Sequence, residues 1–599
     1  MKPTTDFMAA LMCRVGPAMK IQRVLNLAVA ITDGVMTGTA LVKKAIASGA
    51  LDIQKIHDSS TGEDIVYLGK PKATFEILRE VEDWVPDALT SAYQVRVLNT
   101  LQGVKFKINP KVLIFIQANR AYWRVRVNAD REEDRIKTTM GCVAEFLRKH
   151  PDGVFVQKYA SPDGRRYYAL SNPLTHQGAD HQRGLVRFAK AKQIKTKTAL
   201  AQFFKEIEDE YGVNQENYHL VCKDPTLAFT CEHGLKGKKP CCTYDAALAI
   251  EELKQNGWTS YIHQKDQTCS GFQHFAMELG CRALALTTNL LGGPKQDLYT
   301  VSSQMARMFV PHTQCRSSRH GCSCPEEYEY FLNRGKSKFF VLRLGYGSSS
   351  KSLARGLILA KPQDDEFSYT SPDGNYLEGS LETLARSRFN DENYSHFTEM
   401  PGWDAAVKSS LVISKSYYNG LMRFSPKLQA ALSMFKAAHC EAEKQGKFMS
   451  WTLPNGDVKT NVAWRPVTTA KLVRVGMKDP QGKPFQFSMM PMERKSAASA
   501  VAPTFIHSAD GLTLGEIILE SAEKYGEDIA PIHDSLGCGV SHFDRVPGMW
   551  STVATRLWLN REQSMFFETM AKYNVTVSKA VWPNGWHVTD LCNAVHHLT

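Results

Sequence analysis

Apolar residues recur every three or four positions in four stretches of the chain: Phe75–Val85, Phe272–Leu286, Gln429–Gln445 and Leu514–Tyr525. That spacing puts the apolar side chains on one stripe of an α-helix, so each stretch is expected to be a helix with a buried face. Alternation with period two marks Tyr167–Leu170, Phe448–Leu453 and Ala530–Val540 as strands. LPNGD at 453–457 lies between two such runs and reads as a hairpin turn. Short turn clusters, among them DSSTGED at 58–64, SPDGRR at 161–166 and DPQGKP at 479–484, punctuate the rest. Tandem repeats, low-complexity tracts and long linkers are absent from the sequence. The pattern predicts a mixed α/β fold in one multi-lobed body.

Composition changes this picture only at its edges. A chain of 599 residues has room for about three or four domain-sized units and a large core. Hydrophobic residues make up 43% and charged residues 22%, as in an ordinary globular protein. The most apolar stretch, Val24–Ala47, is broken by Asp33, Lys43 and Lys44, so no membrane span is expected. The first residues, MKPTTDFMAALMCRV, lack both the apolar core of a secretory signal and the Arg/Ser richness of a transit peptide. Fourteen cysteines spread over the whole length suit a reducing compartment better than a disulfide scaffold. The net charge of +12 favours a polyanionic partner such as nucleic acid, although charge alone is equally compatible with a merely basic protein.

Three constellations carry chemistry. In YIHQKDQTCSGFQHFAMELG, 261–280, a short strand-like run leads to Asp266, and Ser270 and Gln273 have the spacing of a capping box. A helix is therefore expected to start four residues after the aspartate, which suits Asp266 to holding a divalent cation near phosphate. In APIHDSLGCGV, 530–540, apolar flanks place His533-Asp534-Ser535 at the tip of a tight hairpin. An aspartate there is costly unless it is paired or binds metal. Asp266 and Asp534 together could hold two Mg²⁺ ions, about 3.5–4 Å apart in polymerase-type sites. In RGKSKFFVLRLGYGSSS, 334–350, Arg334, Lys338 and Tyr346 fall within roughly 120° of one helical face. Such a face can take a triphosphate and pack on a base, with Gly345 and Gly347 letting a base pair approach. Gly335-Lys336-Ser337 is not a P-loop, because Tyr330 stands where the first glycine is required.

In order along the chain, these segments resemble motifs A, B and C of the phage and mitochondrial single-subunit RNA polymerases. DQTCSGFQHF is similar to the family's D-G-S-C-S-G-x-Q-H-F, and Arg334, Lys338, Tyr346 and Gly347 match its R-x3-K-x7-Y-G. APTFIHSADG at 502–511 resembles the segment with the ribose-sensing histidine, here His507; 163–189 resembles the early palm, with Arg165 on the family's arginine. QDLYTV at 296–301 puts Tyr299 on an active-site tyrosine, and KINPKVL at 107–113 resembles a segment that precedes the thumb. The resemblance runs from about residue 96 to the end.

It implies a right-hand fold with palm, fingers and reduced thumb, making RNA on a DNA template from ribonucleoside triphosphates with two Mg²⁺ ions. Asp266 and Asp534 would bind metal. Arg334 and Lys338 would hold the triphosphate, with Lys338 also donating a proton to pyrophosphate. Tyr346 would pack beneath the incoming base pair and sense the 2′-hydroxyl with His507. The implied layout is a reduced N-terminal region at 1–110, a curtailed thumb at 111–155, palm at 156–284 and 508–599, and fingers at 285–507 with a short specificity-type hairpin near 471–501. The expected partners are template DNA, nascent RNA and nucleotides, with room for an accessory promoter-opening factor and no membrane, in the cytoplasm of a bacterial host or in an organelle. Three features depart from the family: Ser161 stands where its motif aspartate belongs, the thumb is short, and only about 106 residues precede KINPKVL. A primase-like primer synthesis is therefore the alternative, and a family A DNA polymerase a weaker one, since that group's motif A reads D-Y-S-Q-I-E. Two Cys/His clusters, Cys222–Cys242 and His312–Cys324, lack the paired spacing of structural zinc, and zinc is not expected.

Overall fold

The structure is a computed structural model. It describes residues 53–58, 63–68, 76–83, 90–119, 129–161, 165–170, 173–310, 328, 331–359, 403–461, 464–466, 471–478, 484–489, 494–496 and 498–577. The chain divides into two units, one made of 1–74, 372–376 and 464–495 and the other of the remainder. In the smaller unit, Ile53–Asp58 pairs antiparallel with Glu63–Leu68, and Lys471–Lys478 with Pro484–Met489.

The larger unit is built on a three-stranded antiparallel sheet. Its strands are β1 (His263–Lys265), β2 (Ile529–Ile532) and β3 (Ser535–Cys538), in spatial order β1-β3-β2. Every residue of β2 and β3 is buried, which is why they read as near-continuous apolar runs. Four helices bear on the site: α1 (Ser270–Leu279), α2 (Leu298–Arg307), α3 (Arg334–Gly345) and α4 (Val501–Tyr525). The 25-residue α4 is buried on nearly all sides, packed by α1, β2 and the helices Ala92–Gln102, Pro426–Lys444 and Val546–Ala554. A second antiparallel sheet sets Lys105–Ile108 between Val154–Val156 and Val186–Phe188, with Phe106, Phe155 and Phe188 in ring contact.

Most of the periodic stretches form the elements expected of them. Gln429–Gln445 lies in the helix Pro426–Lys444, and Leu514–Tyr525 is the second half of α4. LPNGD joins the antiparallel strands Ser450–Thr452 and Val458–Thr460. Phe272–Leu286 is two helices rather than one, because Gly280 takes a left-handed φ of +54° and ends α1. Phe75–Val85 is a correction: its described residues, 76–83, contain no helix. The carbonyl of Leu78 instead accepts from the Val156 N–H at 2.9 Å, extending the second sheet. Satisfying that sheet edge overrode a helical apolar spacing. Among the described residues no helix is long and apolar enough to cross a membrane, and the described cysteines are free thiols.

Candidate active site

The sheet brings the two aspartates together. Ile532 pairs with Ser535, so β2 and β3 are joined by the two-residue turn His533-Asp534, with His533 at a left-handed φ of +56°. Lys265 of β1 pairs with Leu536 of β3, which puts Asp266, the next residue, at the same end of the sheet as Asp534. Both line a cleft of about 940 Å³, together with Lys338, Lys295, Lys239 and Glu210. The Asp266 carboxylate is open to cleft water, while protein closes round its other sides. That burial, and then the neighbouring Asp534, push its pKa up to about 7 against the pull of Lys338.

A buried network stands behind Asp534. Ser270 Oγ donates to Asp534 Oδ2 at 2.8 Å. Arg166 donates from Nη2 to Ser270 Oγ at 3.1 Å and from Nε to Asp510 Oδ2 at 2.6 Å, and Nη2 lies 3.6 Å from Asp534 Oδ2. Asp510, on α4, is fully buried; although burial opposes its ionisation, Arg166 and then His274 hold its pKa down at about 2.

The helix α3 opens at the N-cap Asn333, whose side chain accepts from the Lys336 N–H. It carries Arg334 and Lys338, while Tyr346 is the residue that caps its C-terminus. Arg334 Nε donates to Asp297 Oδ2 at 2.9 Å, and its guanidinium lies over the Tyr299 ring, 5.7 Å from the centroid. Asp297 also caps α2 by accepting from the Thr300 N–H. Tyr299 is tied to α3 through its carbonyl, which accepts from Ser337 Oγ at 2.8 Å. Tyr346 meets His507 edge to face, with centroids 5.4 Å apart. Burial, then Arg166, lowers the His507 pKa to about 4, so its ring is neutral at neutral pH.

Two groupings therefore exist around the cleft. Asp266, Asp534 and Lys338 line it directly, while the Tyr346–His507 pair joins the end of α3 to α4 and the Arg334–Tyr299 pair joins α3 to α2. Arg165 contributes its backbone: its carbonyl accepts from Ser161 Oγ, and a Cβ on Gly511 would fall 2.3 Å from that oxygen. The arginine whose side chain enters the carboxylate network is the next residue, Arg166. Sequence reasoning passed over it because Arg165 matches the family pattern, and passed over Asp510 although it lies one helical turn after His507.

The expected capping box is also corrected. The helix does start four residues after Asp266, but Cys269 is its N-cap, without a side-chain hydrogen bond. Ser270 is turned to Asp534, and Gln273 donates to the Thr288 carbonyl. Gly345 is occupied differently from expectation: the Phe272 ring fills the space a Cβ would need, 2.4 Å away, so this glycine serves packing. The His312–Cys324 cluster lies outside the described residues. Cys241 and Cys242 open the helix Pro240–Asn256, and their N–H groups donate to Asp180 at 2.9 and 3.1 Å.

Among the described residues no three His, Cys, Asp or Glu side chains gather as a metal site. The carboxylate pair nevertheless fits a hard divalent cation. Among the described residues Asp266 accepts no hydrogen bond, nor does Oδ1 of Asp534, and the two carboxylates stand close enough for Asp534 to raise the Asp266 pKa, so hard oxygen donors converge at one end of the cleft.

A sheet-borne carboxylate pair sharing one cleft with a helix lysine suits a nucleotidyltransferase. The chain belongs to the DNA-dependent RNA polymerase family, whose profile matches residues 239–553. It is 24% identical over 467 residues to the DNA-directed RNA polymerase of Enterobacteria phage K11, covering 70% of this chain and 49% of that protein. It is 23% identical over 291 residues to the DNA-directed RNA polymerase of Enterobacteria phage T3, covering 45% and 32%. Against the mitochondrial DNA-directed RNA polymerase of Neurospora crassa the identity is 28% over 179 residues, covering 27% and 12%. The chain thus spans about half the length of the K11 relative and less of the others.

Proposed function

We propose that this protein synthesises RNA on a DNA template by nucleotidyl transfer from ribonucleoside triphosphates. The observation that carries the reading is the pairing of Asp266 and Asp534 at one end of the sheet, both lining the same cleft as Lys338. Mg²⁺ held by the two carboxylates would neutralise charge on the attacking 3′-hydroxyl and the departing pyrophosphate. Lys338 and Arg334 grip the triphosphate, and Lys338 gives the proton from its ammonium to the leaving pyrophosphate. Neutral His507 has one ring N–H donor and one acceptor to offer, and with the Tyr346 hydroxyl it recognises the ribose 2′-hydroxyl. Tyr299 and Arg165 would complete the substrate-binding set. In this layout the palm is 156–284 and 508–599, the fingers 285–507 and a reduced thumb 111–155. Template DNA, nascent RNA and ribonucleotides are its partners.

Extension of a short RNA primer annealed to a DNA template tests this with the purified chain, Mg²⁺ and the four ribonucleotides. RNA whose sequence follows the template is expected. Failure of the folded protein to extend, extension independent of template, or preference for deoxyribonucleotides would overturn the reading.

A further inference from the structure

The two oxygens of Asp534 are not equivalent. Oδ2 is engaged from the protein side by Ser270 Oγ at 2.8 Å, with Arg166 Nη2 3.6 Å away, whereas Oδ1 accepts no hydrogen bond among the described residues. An aspartate on a two-residue turn would otherwise sample a broad χ2 distribution and exchange its oxygens. Here three segments distant in sequence converge to prevent that. Ser270 comes from the first residue of α1, Arg166 from the strand-flanking segment before Tyr167, and the anchor Asp510 from α4.

The anchoring is firm because the Arg166 side chain is only 13% exposed and that of Asp510 is wholly buried. A buried guanidinium and carboxylate at 2.6 Å hold each other in place, since neither could stand there alone. The guanidinium fork can serve Asp510 with Nε and Ser270 with Nη2 at once; a lysine ammonium is one point charge and has no such planar fork. We propose that Arg166 and Ser270 are positioning residues that turn Asp534 so that Oδ1 alone is offered to a divalent cation, with Asp510 as the anchor of Arg166. They act through Asp534, as partners behind a ligating group do when they fix its orientation and basicity. This rests on the reading of Asp534 as a cation ligand.

The test is direct Mn²⁺ binding to the full chain without nucleotide, followed by loss of the free-ion electron paramagnetic resonance signal. Asp534→Asn is the reference and should remove a binding site present in the wild type. Ser270→Ala leaves the Arg166–Asp510 pair intact and should weaken that site about 10- to 100-fold with the fold unchanged by circular dichroism. The double variant Arg166→Gln/Asp510→Asn removes the buried charges together, so a purely structural role predicts wild-type binding, whereas positioning predicts the same weakening as Ser270→Ala. Wild-type affinity in Ser270→Ala and in the folded double variant, with loss only in Asp534→Asn, overturns this inference and leaves the cation reading standing. If the double variant fails to fold, Ser270→Ala alone decides. Absence of any Asp534-dependent Mn²⁺ site in the wild type overturns both.

Discussion

The ring of Tyr346 stands edge-on to that of His507, with centroids 5.4 Å apart and planes at 71°. One comes from the end of α3 and the other from α4, so sugar recognition in the proposed reaction depends on how two separate helices are docked. The tyrosine hydroxyl also abuts Gly271 at the start of α1, where a Cβ would come within 2.8 Å of it. Tyr346 therefore packs on the same helix that supplies Ser270.

Tyr346→Phe keeps this packing and removes one hydroxyl. Losing such a hydrogen bond costs about 0.5–1.5 kcal/mol. Discrimination between ribo- and deoxyribonucleotides should fall roughly 2- to 10-fold, with ribonucleotide addition retained. Competing single-nucleotide incorporation measures it; an unchanged ratio removes Tyr346 from sugar selection.

Asp534→Asn should lower nucleotide addition by about a hundredfold or more, because a neutral amide gives up several kcal/mol of charge stabilisation at the reacting phosphate. The hydrogen bond from Ser270 still has an oxygen acceptor, so the thermal midpoint should change little. Near-normal extension by the folded variant would be incompatible with the carboxylate pair as the reaction centre.

Arg334 is two-thirds exposed and its pair with Asp297 is correspondingly worth only about 0–1 kcal/mol. Arg334→Ala should thus leave stability almost unchanged while raising the nucleotide KM about tenfold, the scale of a lost charge-assisted contact. Asp297→Ala should behave oppositely in stability, losing about 1 kcal/mol through the missing cap of α2. Steady-state kinetics beside thermal melts separate the two.

Glu278, buried within α1, accepts from the Phe566 N–H at 2.8 Å at the start of the helix Met565–Lys572. Burial raises its pKa from an ordinary 4.5 to about 7. The folded state therefore binds more protons than the unfolded chain between those values, and stability must fall as pH rises from about 4.5 to about 7. Its full contribution is on the order of 3 kcal/mol. Glu278→Gln keeps an oxygen for Phe566 and cannot ionise, so the difference between variant and wild type should move in the variant's favour across that window. Denaturant titrations at pH 5 and pH 8 with no such divergence would refute the assignment.

Gly511→Ala places a Cβ 2.3 Å from the Arg165 carbonyl oxygen, a backbone atom that cannot swing aside. A loss of about 1–3 kcal/mol is expected from overpacking. Activity should fall further than stability alone explains, because the segment displaced carries Arg166. Activity equal to wild type at temperatures where the variant is folded would contradict that link.

Much of the site could be read from short windows. The apolar helix after Asp266, the His533-Asp534 turn and the helix that carries Arg334 and Lys338 follow from apolar spacing and turn chemistry. These act within a few residues, and a linear sequence displays them. What the window could not display is partnership. Ser270 has a cap's spacing, yet its hydroxyl goes to a carboxylate 264 positions away, and Arg166 finds Asp510 344 positions away. Which arginine side chain meets Asp510 depends on which side of the segment faces α4, and there it is Arg166. Phe75–Val85 carries a helical pattern, but an unpaired sheet edge at Val156 claimed its backbone. Local propensity is worth tenths of a kcal/mol per residue, whereas an unsatisfied buried hydrogen-bonding group costs about 1–3 kcal/mol. Where the two compete, tertiary packing decides, and in this protein it decided which side chains stand behind the reacting carboxylates.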